Sequence, residues 1–286
     1  MAKRTIEIIA PAKTNLRLRI LGRREDGFHA VDTRMVALSL ADRLSLELLP
    51  SGQGASLQCS DASLGVGEEN LVMRALRLLE RHCGRSFDLR IHLDKKIPLA
   101  AGLGGGSSDA AALLKGVNQL LDLKLDQASL LGLAAQIGSD VPFFIFDTPC
   151  DCSGRGEVVS PIEFKTELPI LLIKPGFGVS AAWAYQNRAA SIELPGVTYA
   201  PQLCPWGEMV NDLERPVYEK YLFLARLKMW LLDQAETHVA LLSGSGSTLL
   251  VVLAESEGGG RLQQRVEEYF GENMWTYVGR TLGSAK

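Results

Sequence analysis

No apolar run in this 286-residue chain approaches the roughly 20 residues needed to cross a bilayer, so no membrane-spanning helix is expected. Neither sign of charge dominates. The 30 Lys+Arg are outnumbered by 33 Asp+Glu, and the cations are dispersed. That excludes the basic face with which a dedicated nucleic-acid binder displaces counterions. Cysteines are few and odd in number (Cys59, Cys83, Cys150, Cys152 and Cys204), which argues against a disulfide framework. Cys150-Asp151-Cys152 lacks the two-residue spacer and the second ligand pair of a zinc site. All five are therefore expected to be free thiols, and no protein-held metal centre is expected. The basic start, Met1-Ala-Lys-Arg-Thr, has no apolar segment behind it, so the expectation is a cytoplasmic protein without a signal peptide. At 47% hydrophobic and 22% charged residues, the chain can bury enough surface to offset its ordering entropy, which excludes disorder. Its length suits one large domain or two ordinary ones.

Periodicity supplies the elements. Residues 5–9 and 14–21 alternate apolar and polar, as does 30–49 (Val36, Leu38, Leu40; Leu44, Leu46, Leu48), with Glu25-Asp26-Gly27 as turn chemistry between them. Antiparallel hairpins follow. Residues 69–83 have helical spacing with Gly84 as the stop, and Phe87–Leu93 is a short strand. Helices are expected over 110–121 and 126–137, then a strand over Phe143–Phe146 and a turn-rich crossing over 149–168. The second half predicts a strand at 169–174, a Pro/Gly-rich segment at 175–207, and a helix near 217–235. A strand at 248–253 and a closing helix at 258–270 complete it. Strands and helices mix without strict βαβ alternation, which favours an α+β fold over a doubly wound sheet.

Glycine is what the chain does have: 28 residues, several of them in two tight clusters. The first is Pro98-Leu99-Ala100-Ala101-Gly102-Leu103-Gly104-Gly105-Gly106-Ser107-Ser108, opening onto a helix. Glycines permit positive φ and leave no Cβ to block an oxygen-rich ligand, while free N–H groups at a helix start favour an anion. Phosphate is the expected ligand. A Walker loop would need a terminal Gly-Lys-Ser/Thr, and a dinucleotide fingerprint would need glycine where Ser107 stands. A serine-capped turn would need one serine, not three successive glycines and two serines. The second cluster is Ser243-Gly244-Ser245-Gly246-Ser247.

These stretches resemble the motifs of the GHMP kinase superfamily. Pro98–Ala111 resembles its phosphate loop, Pro11-Ala-Lys-Thr-Asn-Leu16 its N-terminal motif, and Leu242–Thr248 its C-terminal glycine loop. Further segments are most similar to the branch whose acceptor is CDP-methylerythritol: Gly22-Arg-Arg-Glu-Asp-Gly-Phe-His29, Glu69-Asn-Leu71, Gly138-Ser-Asp-Val-Pro-Phe143, Pro175–Ser180 leading to Tyr185, and Asn211-Asp-Leu-Glu214. The resemblance implies a two-lobed α+β fold. Residues 1–160 would form an N-terminal ribosomal-protein-S5-like ATP-binding domain, and 161–286 a C-terminal ferredoxin-like substrate domain.

It implies ATP-dependent phosphorylation of an acceptor hydroxyl in isoprenoid biosynthesis. Asp140 would be the base, Lys13 its catalytic partner, and 98–108 the ATP loop. Asn70 and Lys95 or Lys96 would lie on the nucleotide side, although Asn70 at a helix start is equally an N-cap. On the acceptor side the implied residues are Asn15, Phe28 and Tyr185 against the base, His29 at its edge, and Gly244 and Gly246 in the closing loop. Relatives more often carry tyrosine at Phe28 and threonine at Ala181. Mg²⁺ would be held mainly by ATP, with Ser107 nearby. His82, His92 and His238 read as structural or surface residues. A homoserine- or mevalonate-type kinase and a non-catalytic nucleotide binder remain alternatives, and a monomer or a homodimer is expected.

Overall fold

Apolar alternation at the start of the chain yields two long antiparallel strands, β1 (Thr5–Arg23) and β2 (His29–Leu48), paired along nearly their whole length. The structure, a computed structural model, describes residues 4–146 and 148–284; the first three residues of the basic N-terminus lie outside it. The two stretches expected as separate strands at 5–9 and 14–21 form one, with register shifts against β2 between Pro11 and Lys13, Asn15 and Arg17, and Ile20 and Gly22. β3 (Ser56–Cys59), α1 (Leu71–Cys83) and β4 (Leu89–Asp94) follow, then α2 (Gly105–Leu121) and α3 (Gln127–Ile137). A hairpin of β5 (Cys150–Ser153) and β6 (Val158–Pro161) pairs through β5 with β2. The second half comprises β7 (Pro169–Lys174), α4 (Ala181–Asn187), β8 (Gln202–Cys204), β9 (Gly207–Asn211), α5 (Glu214–Lys220), α6 (Leu222–Leu232), β10 (Thr237–Leu242), β11 (Leu249–Leu253), α7 (Gly258–Phe270) and β12 (Trp275–Arg280).

Two sheets result. One runs β3-β4-β2-β1-β9-β8 with β5 and β6 attached, and the other runs β10-β11-β7-β12. β9 pairs parallel with β1, so a hairpin from the second half completes the first sheet. One core packs α1, α2 and α3 onto the first sheet, through residues such as Leu76, Leu79, Ile91 and Leu113. Another fills the space between α5, α6, α7 and the second sheet. A third lies between the sheets, where Val36, Leu38 and Leu40 of β2 meet Ile170, Leu172, Leu241 and Leu250. This apolar seam fixes the two lobes against each other. Among the described residues no helix is long and apolar enough to cross a membrane. All five thiols are free, and burial pushes Cys150 up to about 12.

Several expectations require correction. Phe143–Phe146 is not a strand: Pro142–Ile145 is a 3-10 turn with Pro142 at its first position. An apolar run of four cannot by itself distinguish a buried strand from a buried helical turn. The crossing at 149–168 contains the β5–β6 hairpin. The helix expected near 217–235 is two, α5 and α6, broken at Tyr221. The Pro/Gly-rich segment holds α4, capped by the Ser180 hydroxyl accepting from the Trp183 N–H. β10 was unmarked by alternation because it is buried continuously at Val239–Leu242, and β12, not α7, closes the order of elements.

A buried ion pair anchors the second lobe. Glu214 accepts from the Lys228 ammonium (2.7 Å), the Tyr218 hydroxyl (2.9 Å) and the Leu242 N–H (2.9 Å). Removing one partner of such a pair strands the other charge away from water. Lys228→Met is therefore expected to lower the unfolding free energy by about 3 kcal/mol. Urea denaturation measures this, and an unchanged midpoint would contradict it.

Candidate active site

Lys13 and Asn15 are two residues apart on β1 and so face the same side. The Lys13 ammonium lies 2.9 Å from Asn15 Oδ1 and 3.1 Å from Asp140 Oδ2. Asn15 in turn donates to Thr33 Oγ1 (2.7 Å), and Thr33 donates to the Arg17 carbonyl (2.7 Å). Each polar atom along this row has a partner, which fixes the direction of the lysine. Lys13 and Asn15 are buried, whereas Asp140 keeps about a third of its side chain exposed. The carboxylate therefore faces both a held cation and the solvent-filled cleft. Asp140 reaches this place on the tight turn between α3 and the 3-10 turn, where the Val141 N–H donates to the Gly138 carbonyl.

The first glycine cluster is itself the start of α2, which begins at Gly105 rather than at 110. Gly104, with φ +71°, is the residue before it, and a Cβ there would sit 2.8 Å from Lys13 Cγ. The Lys13 N–H also donates to the Leu103 carbonyl (2.9 Å). The phosphate-type loop and the Lys13 row are thus packed directly together. Gly105, Gly106 and Ser107 leave their N–H groups at the helix head, where no preceding turn satisfies them and where an anion is favoured.

The second cluster closes against the first. A Cβ on Gly102 would lie 2.1 Å from the Ser243 carbonyl, and one on Gly244 would lie 2.9 Å from the Gly102 carbonyl. The Thr248 N–H donates to the Ala101 carbonyl (3.2 Å), and Thr14 Oγ1 meets Ser243 Oγ at 3.0 Å. Only glycine allows backbones to approach this closely. Behind the loop, Asn211 donates to the Leu242 and Gly244 carbonyls, both at 2.7 Å, and accepts from the Leu213 N–H.

Lys13, Asn15, Phe28, His29, Asp140, Tyr185, Gly244 and the loop Pro98–Ser107 line one cleft of about 700 Å³. Three residues expected at the site do not line it. Asn70 is the N-cap of α1: its Oδ1 accepts from the Val72 N–H and its amide donates to the Gly65 carbonyl. Ser108 is buried in the first turn of α2, with its N–H closing on the Gly104 carbonyl. Gly246 lies beneath Gly102 and packs against Leu242. Of the two lysines, Lys95 lines the cleft, while Lys96 is exposed and pairs with Asp94 at 3.5 Å.

Phe28, His29 and Tyr185 all line the cleft. Tyr185 stacks on His29, with ring centroids 5.6 Å apart, and Phe28 carries the Arg155 guanidinium 5.0 Å over its ring. Phe28 is half exposed at the cleft mouth. Burial, with the Asp140 charge adding to it, pushes the Tyr185 phenol up, so it stays neutral. Arg155, Thr33 and Gln186 are cleft residues that sequence reasoning missed. The signal for Arg155 was its place between Gly154 and Gly156 in a segment otherwise read as a connection.

Among the described residues no cluster of three or more His, Cys, Asp or Glu could hold a metal ion. The Ser107 side chain, at the head of α2, is one of the hydroxyls that line the cleft.

Comparison with known proteins agrees with this geometry. Residues 70–148 match the GHMP kinases N terminal domain. The 4-diphosphocytidyl-2-C-methyl-D-erythritol kinase of Methylacidiphilum infernorum is 40% identical over 273 residues, covering 94% of both chains. A crystal structure of 4-(cytidine 5'-diphospho)-2C-methyl-D-erythritol kinase superposes with a TM-score of 0.79 at 30% identity, covering 98% of this chain and 100% of that one. The homoserine kinase of Cytophaga hutchinsonii shares the fold, with a TM-score of 0.68 at 18% identity, covering 99% of this chain and 96% of its own. With this similarity running through both lobes, the chain belongs to the 4-diphosphocytidyl-2-C-methyl-D-erythritol kinase family of GHMP kinases.

Proposed function

We propose that the cleft transfers the γ-phosphoryl group of ATP to a hydroxyl of 4-diphosphocytidyl-2-C-methyl-D-erythritol, giving the 2-phosphate and ADP in non-mevalonate isoprenoid biosynthesis. The observation that carries this reading is the Asp140–Lys13–Asn15 row (3.1 and 2.9 Å) packed against the head of α2 in one cleft. Residues 1–160 supply the nucleotide loop and the reacting row, and 161–286 close the acceptor side.

Phosphoryl transfer needs positioning and charge stabilisation more than covalent help from the protein. N–H groups at the head of α2 hold the phosphates. The acceptor oxygen forms a bond to the γ-phosphorus as the bond to the bridging oxygen of ADP breaks. Asp140 takes the hydroxyl proton, and Lys13, 3.1 Å from it, orients the carboxylate and offsets charge on the transferring group. Mg²⁺ bound with ATP would neutralise charge on its phosphates, and Ser107 is the residue that would help hold it. Asn15 orients the acceptor hydroxyl. Phe28, His29 and Tyr185 take the cytosine ring, since aromatic faces at the cleft mouth suit a flat base and have no use in binding a small amino alcohol.

The last assignment has a direct test. Phe28→Ala is expected to raise the acceptor KM about tenfold and to leave the ATP KM within about twofold. Equal effects on both constants would remove Phe28 from the base site.

A further inference from the structure

The alternation on β2 places Val36, Leu38, Leu40, Leu44 and Leu46 inward, and Asp42 stands in the same phase. It is as buried as its apolar neighbours, at 1% exposure. A leucine would continue the core there without the desolvation cost of a carboxylate. Asp42 Oδ1 accepts from the N–H groups of Lys96 (2.5 Å) and Ile97 (2.8 Å), where the chain leaves β4 for the glycine loop. Its Oδ2 is paired with the Lys95 ammonium. That ammonium also meets Asp109 Oδ2 at 2.8 Å, on α2 just past the loop. The cluster therefore ties the entry of the loop to its exit.

Lys95 is the member that reaches the cleft. Its Nζ lies 3.3 Å from the position a Cβ would take on Gly105, the first residue of α2. Burial alone would lower the Lys95 pKa, but the two carboxylates outweigh it and hold the group above its ordinary value, so the ammonium stays charged. Two backbone donors already occupy Oδ1 of Asp42, which leaves Oδ2 to direct the cation. The loop has no Walker lysine, and Lys95, arriving from the strand side, places a cation beside Gly105 at its helix end.

We propose that Asp42 is a positioning residue for ATP that acts through Lys95, holding its ammonium over the head of α2 as the phosphate-loop cation. This rests on the reading of the loop as the ATP site. Asp42 touches neither substrate, so its effect is specific to the nucleotide and vanishes when Lys95 is gone.

A double-mutant cycle tests this on the full chain, with the ATP and acceptor KM values and calorimetric binding of the non-hydrolysable analogue AMP-PNP as readouts. Asp42→Asn and Lys95→Met are each expected to weaken AMP-PNP binding and raise the ATP KM about tenfold, with the acceptor KM within about twofold. The double variant is expected to be no worse than Lys95→Met alone. If Asp42→Asn does not yield folded protein, Asp42→Ser, which puts no amide against the ammonium, is read in the same way. Multiplicative losses near a hundredfold in the double variant, or equal rises in both KM values, overturn the proposal. An Asp42 variant that binds AMP-PNP like the unmodified chain, while Lys95→Met does not, also overturns it. Failure of the unmodified chain to bind AMP-PNP would instead overturn the ATP-site reading on which it rests.

Discussion

Asp140→Asn is expected to lower kcat about a thousandfold while leaving ATP affinity within about tenfold, since a positioned general base contributes roughly 10²–10⁴ in rate. The amide has the size of the carboxylate and can still place an oxygen toward the Lys13 ammonium, 3.1 Å away in the unmodified chain. It cannot take a proton. The phosphate-side contacts come from the head of α2 and do not involve residue 140. Loss should therefore fall on turnover and not on nucleotide binding. Steady-state kinetics with AMP-PNP calorimetry separates the two. A large fall in AMP-PNP affinity with turnover preserved at saturation would mean that Asp140 serves the nucleotide.

The second large effect is expected at Gly102. Its φ is +76°, a backbone region that costs an L-residue about 1–2 kcal/mol. A Cβ would also lie 2.1 Å from the Ser243 carbonyl and 2.8 Å from the Gly246 N. Neither loop can retreat easily: Ala101 accepts from the Thr248 N–H, and Gly102 accepts from the Ser243 hydroxyl. Gly102→Ala should thus cost about 3 kcal/mol of stability, strain and overpacking together, and raise the ATP KM at least tenfold by displacing the phosphate loop. Gly84 supplies the comparison, because it has φ +65° and nothing within 4 Å of its would-be Cβ. Gly84→Ala should lose about 1 kcal/mol and leave both KM values unchanged. Equal stability losses at the two positions would show that the loops do not depend on close contact.

The two glycine clusters were legible in the sequence because few other uses require so much glycine and serine at a helix start. Their mutual contact was not, since nothing in a linear order reveals that Gly102 and Ser243 touch. Lys13 and Asn15 were legible as a same-face pair from their spacing alone. Their link to Asp140 came only from resemblance, because a turn aspartate looks the same whether or not it faces a lysine. Phe28 and Tyr185 were readable as aromatic candidates, whereas the His29–Tyr185 stack and the Arg155 guanidinium over Phe28 were not. Local sequence carries no record of which loop tips converge. Asn70 had two readings, and the hydrogen bonds at the start of α1 show the cap. Asp42 was written into the pattern as a break in the leucine alternation, visible once the inward phase of β2 is known. α+β was the correct class because helices and strands mix without βαβ order. The return of β9 to β1 was hidden, since five residues of pairing strand leave a weak signal.

The most direct measurement of the central claim is ADP release in a coupled assay. The purified chain is supplied with ATP, Mg²⁺ and one of three acceptors: 4-diphosphocytidyl-2-C-methyl-D-erythritol, homoserine or mevalonate. Turnover with the cytidine-bearing acceptor and background rates with the other two is the predicted result. Turnover with homoserine or mevalonate, and none with the cytidine-bearing acceptor, would contradict it.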